Sequence, residues 1–153
     1  MKEKIYNYKT HSLSCIKDYS GTYSLTINFI ELMIDNKTNV LIDICGFLPL
    51  LNAKKCSIII PPYCDRKLYI DIKKSAEIKQ NGIYNYNDKV VNQRKYFEKK
   101  NILYDEKKGI ICIGDVSFFN TDSAIKVNEN LICVVDVNDE LKCIFIIPDK
   151  FIN

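Results

Sequence analysis

His11 is the only histidine in the chain, and that single count decides much of the possible chemistry. A Ser–His or Cys–His nucleophile pair needs a base beside the nucleophile. Only His11 can be that base, and it lies in a polar N-terminal segment without strand or helix period. A lone histidine in such a segment reads as inert, and mechanisms that need two histidines are excluded. Seven cysteines follow: Cys15, Cys45, Cys56, Cys64, Cys112, Cys133 and Cys143. They form no CxxC pair and no Cys/His group with zinc spacing. Several sit in apolar runs such as Ile111-Cys112-Ile113, where a thiol behaves as a small hydrophobe. Reduced thiols in a cytoplasmic protein are the simplest account.

Carboxylates are the next chemistry to weigh. Asp115, Asp136 and Asp139 would make a Mg²⁺ site if they met in space. Aspartates at strand ends also cap turns, and that is the reading adopted, so no metal is expected. The five glycines form neither GxGxxG nor a Walker A loop, so no nucleotide cofactor is expected either. With no catalytic set in view, the chain is expected to bind rather than catalyse.

The distribution of charge is more telling than the net +3. Residues 1–53 sum to about zero, 54–111 to roughly +7 and 112–153 to roughly −4. In the last segment Asp115, Asp122, Glu129, Asp136, Asp139 and Glu140 flank strands or occupy turns. Projected from the ends of a sheet, they would form an acidic surface that docks a basic protein and speeds its association. These six are the expected partner-binding residues. The basic stretch 54–108, with Lys54, Lys55, Arg66, Lys67, Lys73 and Lys74, gives the alternative of a nucleic-acid-binding module. Arg66 and Arg94 are the only arginines, and lysine reads phosphate less well, so nucleic acid is the less favoured partner.

The elements that must position these residues read mainly as strands. A chain of 153 residues with 47% hydrophobic and 27% charged residues fits one domain, residues 1–153. No repeat or Pro/Gly-rich linker divides it. The N-terminus lacks the apolar core of a signal peptide, and no apolar run reaches the ~20 residues that span a bilayer. No membrane contact and a cytoplasmic location are therefore expected.

Tyr23, Leu25, Ile27 and Phe29 alternate with polar residues, as do Val40, Ile42 and Ile44 beyond the turn at Asn36–Asn39. That pattern predicts a β-hairpin. Cys56–Ile60 is an apolar run stopped by Pro61-Pro62 and predicts a buried strand, and Leu68, Ile70 and Ile72 predict another. Two further hairpins are predicted, Ile102–Tyr104 with Ile110–Ile113 and Leu131–Val137 with Leu141–Ile147. One main helix is predicted over 88–100, capped by Asn87 or Asp88, with Val90, Val91, Arg94 and Phe97 on one face. The expected fold is α+β: a mostly antiparallel, curved or barrel-like sheet covered by that helix.

Three strings carry a resemblance: Lys108-Gly109-Ile110-Ile111-Cys112-Ile113-Gly114-Asp115, Ala124 to Ile132, and Glu140 to Pro148. Together they resemble the C-terminal layout of small immunity proteins of bacterial contact-dependent inhibition and other polymorphic toxin systems. The resemblance covers about a quarter of the chain. The tryptophans associated with those strands are absent, since the chain has no Trp. It implies a compact, non-enzymatic cytosolic domain that forms a one-to-one complex with a cognate toxin, commonly a nuclease domain, and covers its active site.

Overall fold

The computed structural model describes residues 3–15, 20–27, 29–70, 96–97 and 101–153. Thirteen strands among them build two open, mixed sheets. The first sheet uses β1 (Ile5–Asn7), β2 (Ser12–Leu13), β3 (Thr22–Ile27), β4 (Ile30–Asp35), β5 (Leu41–Phe47) and β13 (Lys150–Ile152). The second uses β6 (Lys54–Lys55), β7 (Tyr63–Asp65), β8 (Ile102–Asp105), β9 (Ile110–Gly114), β10 (Ser123–Asn128), β11 (Leu131–Val135) and β12 (Leu141–Ile146). Their orders are β13-β1-β2-β5-β4-β3 and β6-β8-β9-β12-β11-β10-β7.

These orders contain an internal repeat that the sequence does not display. Strands β1-β2-β5-β4-β3 and β8-β9-β12-β11-β10 follow the same path, and their registers agree apart from a bulge between Lys126 and Asn128 that β3 lacks. Tyr6 faces Leu13 as Tyr104 faces Ile111; Leu32 faces Ile44 as Cys133 faces Ile144; Ile34 faces Leu41 as Val135 faces Leu141. The first turn of each unit carries a positive φ at the matching place, 52° at His11 and 66° at Gly109. Each unit then gives its closing strand to the other sheet. β6 pairs in parallel with β8 in the second unit, and β13 pairs in parallel with β1 in the first.

One hydrophobic core lies between the sheets and draws matched residues from both, including Leu13 and Ile111, Leu25 and Ile125, Ile30 and Leu131, and Ile44 and Ile144. Strand alternation explains this, since every second side chain faces the partner sheet. Asn128 Nδ2 donates to Ile42 O at 2.9 Å, and the Tyr8 and Tyr104 hydroxyls meet at 2.6 Å, tying the units together. The second sheet is buried on its other face as well, which is why β9 and β11 read as continuous apolar runs and β12 is buried throughout. Its cover is the segment 56–62, which leaves β6 at one edge and reaches β7 at the other. Ile58 is the plug of that strap, packed with Cys112, Ala124, Ile132 and Phe145. Burying such a side chain contributes about 1.5–3 kcal/mol.

The expected α+β class is therefore corrected to all-β. No helix occurs among the described residues, and the sheets stack as two open layers with edges at β13, β3, β6 and β7, not as a barrel. Of the predicted helix at 88–100, only Tyr96 and Phe97 are described, and they form a turn; the rest lies outside the described residues. Phe97 is buried, with its ring against Gly114. Cys56–Ile60 is the strap and not a strand. The amide of Cys56 donates to Tyr104 O, and that of Ile58 to the Asp105 carboxylate. The run Leu68–Ile72 reaches only one bridge, Tyr69 to Val40, and its residues 71 and 72 lie outside the described residues. Among the described residues no helix is long and apolar enough to cross a membrane.

Candidate functional site

The strongest concentration of exposed apolar and acidic groups lies at one end of the second sheet. Three segments meet there: the 115–122 connection from β9 to β10, the 136–140 turn from β11 to β12, and the turn holding Tyr96 and Phe97. Gly114 starts the construction. Its φ is 101°, and a Cβ there would stand 2.5 Å from Lys142 O and 3.0 Å from the Phe97 ring. Only glycine lets β9 press this closely on β12 before the chain turns away. The Asp115 amide then donates to Lys142 O at 3.0 Å.

Lys142 anchors the loop that follows. Its ammonium donates to Asp122 Oδ2 at 2.7 Å, both side chains being only 2% exposed. The same oxygen accepts the Phe119 amide at 2.8 Å, and the Phe119 ring lies 4.1 Å from the ammonium. A cation over an aromatic face is attracted by the ring quadrupole, the more so when desolvated. Tyr96 lies on the same ammonium at 5.9 Å, and its hydroxyl donates to Asp136 Oδ2 at 2.7 Å. Asp136 Oδ1 accepts the amides of Asn138 and Glu140, which folds the 136–140 turn. Asp139 takes a left-handed φ of 60°, a conformation that Asp tolerates better than most residues.

The six expected acids divide under this geometry. Asp122 is neutralised by Lys142, and Asp136 is occupied by its turn and Tyr96. Asp115, Asp139 and Glu140 stand with them at the same end of the sheet. Glu129 does not: it lies at the β10–β11 turn at the opposite end, 87% exposed and 3.0 Å from Lys126. Burial pushes the Asp115 carboxyl upward, but the Ser117 hydroxyl and amide and the nearby Lys142 charge outweigh it and hold it below the ordinary range. It is thus a fixed negative charge in solvent at neutral pH.

Four apolar residues at this end escaped the reading of the sequence. Val116 is 42% exposed, Phe119 60% and Val137 69%, with Phe118 beside them. For Phe118-Phe119 the signal was present, since they stand among Asp, Asn, Ser and Thr where no strand period accounts for an apolar side chain; Val137 was read as the end of the strand Leu131–Val137, whereas β11 stops at Val135. Lys142 was missed because a lysine within a strand run reads as an outward residue.

Elsewhere the concave features are of other kinds. A cavity of about 240 Å³ is lined by Phe29, Phe47, Leu48, Pro49, Ile102 and Ile113. His11 lies edge-on to Phe47 beside it, with ring centroids 6.2 Å apart. In the basic stretch, Lys55 pairs with Glu106 and Lys108 with Asp105, while residues 71–95 and 98–100 lie outside the described residues. Among the described residues no three His, Cys, Asp or Glu side chains are grouped to hold a metal ion. No protein-family model matches the chain, and no curated protein matches it.

Proposed function

We propose that this chain is a non-enzymatic immunity protein that binds a cognate toxin domain one to one and blocks its active site. The observation that carries the reading is the end of the second sheet, where Val116, Phe118 and Val137 are exposed among Asp115, Asp139 and Glu140. Exposed apolar groups set in a polar rim are the pattern of a protein-binding surface. The acids favour a basic partner such as a nuclease domain, whose phosphate-binding groups they would occupy, and they steer its approach.

Rigidity supports the same reading. Gly114, the Lys142–Asp122 pair and the capped 136–140 turn hold the surface in place before binding, so little conformational freedom is lost on association. The strings that resemble immunity proteins, within residues 108–148, lie on β9 to β12, the strands that bear this surface.

Co-expression with the protein encoded immediately upstream tests the proposal, because immunity genes adjoin their toxin genes. The expected result is a stoichiometric complex on size exclusion and rescue of growth from that protein's toxicity. A toxic neighbour that is neither bound nor neutralised would refute the reading.

A further inference from the structure

The internal repeat marks one place between the sheets where the two units differ. In the second unit, β11 and β12 are closed at their Leu131–Ile146 end. Ile146 faces the core with no exposed surface. The Ile147 amide donates to Asn130 O at 2.9 Å, and Asn130 Nδ2 donates to Ile147 O at 2.8 Å. By register Gly46 stands in the place of Ile146, because Ile30 faces Gly46 as Leu131 faces Ile146. Phe29 and Phe47 stand in the places of Asn130 and Ile147, and the Phe47 amide donates to Phe29 O at 3.3 Å.

Gly46 puts no side chain where Ile146 fills the second unit, and a Cβ there would stand 2.9 Å from Phe29 O. The residues around it, Phe29, Ile30, Phe47 and Leu48, line the cavity of about 240 Å³. Ile102 and Ile113 of the second unit form its far wall, so the space lies between the two sheets. Phe29 and Phe47 are 62% and 46% exposed, with their rings edge to face at 6.1 Å, and they form the mouth. Phe29 also holds a φ of 134°, a conformation that bulky side chains rarely adopt. Backbone strain of this kind collects at binding sites.

We propose that this cavity binds a small, neutral molecule with a flat apolar body about the size of two fused aromatic rings. Volume sets the size: an apolar cavity of about 150 Å³ admits benzene, and the same ratio gives this one room for about ten heavy atoms. Lining sets the charge. Asn52 is the only polar side chain among the described walls, and no charged one stands with it. A charged ligand would lose its hydration there without a partner. The aromatic mouth favours a flat occupant, which meets the rings stacked or edge to face. Clefts between packed layers, mostly apolar with few polar groups, are the usual setting of small-molecule sites. The acidic end of the second sheet plays no part in this inference, which stands or falls separately from the proposed immunity role.

Indole serves as the test ligand. Calorimetric titration of the full chain is expected to show a single saturable site with a Kd of about 0.1 mM or tighter. Methyl resonances of Ile30, Leu48, Ile102 and Ile113 should shift along the same binding curve, a readout that needs only the unaltered chain. Ile102→Phe, at a partly exposed residue, fills the space and should weaken binding about tenfold or more while the thermal midpoint stays within a few degrees. A short peptide with one Trp between glycines separates a partner's side chain from a free molecule, and it should bind about tenfold more weakly than indole. No saturable binding up to about 1 mM indole, shifts confined to other methyl groups, unchanged binding in the folded Ile102→Phe variant, or a peptide that binds as tightly as indole would each overturn the inference.

Discussion

Lys142 and Asp122 are the residues on which the proposed surface rests, since a buried ion pair is costly to break from one side only. Lys142→Met leaves the Asp122 charge unpaired and should destabilise the fold by about 3–5 kcal/mol in urea denaturation. The double variant with Asp122→Leu should recover much of that loss, because the unpaired charge is then gone. Exposed acids behave differently. Asp139→Lys should leave stability nearly unchanged and slow association with a basic partner roughly tenfold at low salt, an effect that shrinks as salt screens it. Equal stopped-flow rates for both proteins at low salt would contradict the steering role. Asp105 gives a pH signature. The Ile58 amide first, and then the Lys108 amide, hold its carboxyl below the ordinary value. A depressed folded value means stabilisation that is present above the unfolded pKa of about 3.9 and is lost as pH falls through the folded value. Asp105→Asn should therefore be less stable at neutral pH and show a shallower loss on acidification below about pH 4. At this scale the sequence revealed the acids by type and position. It did not reveal that Asp122 would be neutralised by a lysine twenty residues away, because that pairing is made only by the sheet.

Elements were legible where one face is buried and obscure where both are. Strands β8, β9, β11 and β12 stood out as two hairpins because turns at Gly109 and Asn138-Asp139 interrupt their apolar runs. Between Tyr23 and Ile44 one hairpin was read where three strands occur, because no Gly or Pro marks the reversal between β3 and β4, where Phe29 takes a positive φ of 134°. There Gly46 on β5 gives room instead, since a Cβ would stand 2.9 Å from Phe29 O. The short strands β1, β2, β6, β7 and β13 have two or three residues each, below the length at which a period can be seen. The strap 56–62 deceived for a physical reason: Ile58, Ile59 and Ile60 suit a strand, yet only alternate residues are needed to plug a face. Ile58→Ala should cost about 2–5 kcal/mol, while Ile59→Ala, at a residue 80% exposed, should stay within about 0.5 kcal/mol. Equal losses at the two positions in chemical denaturation would show that the strap does not seal the second sheet.

At the scale of the molecule, the described residues form two copies of one five-stranded path that exchange their closing strands and share a core. Little of this was legible, because the copies keep apolar character and register but few identities. Tyr6 matches Tyr104, Leu41 matches Leu141 and Ile44 matches Ile144, whereas Asp43 matches Cys143 and His11 matches Gly109. The second copy carries the aromatic connection 115–122 over its sheet end, and function is expected there. The most direct test of that assignment is growth rescue in cells producing the upstream-encoded protein, comparing the unaltered chain with a Phe118→Ser, Val137→Ser double variant. Both chains should have the same thermal midpoint within a few degrees, since both residues are exposed. The account predicts full rescue and a one-to-one complex for the unaltered chain, and loss of both for the variant. A folded variant that rescues and binds as well as the unaltered chain would contradict it.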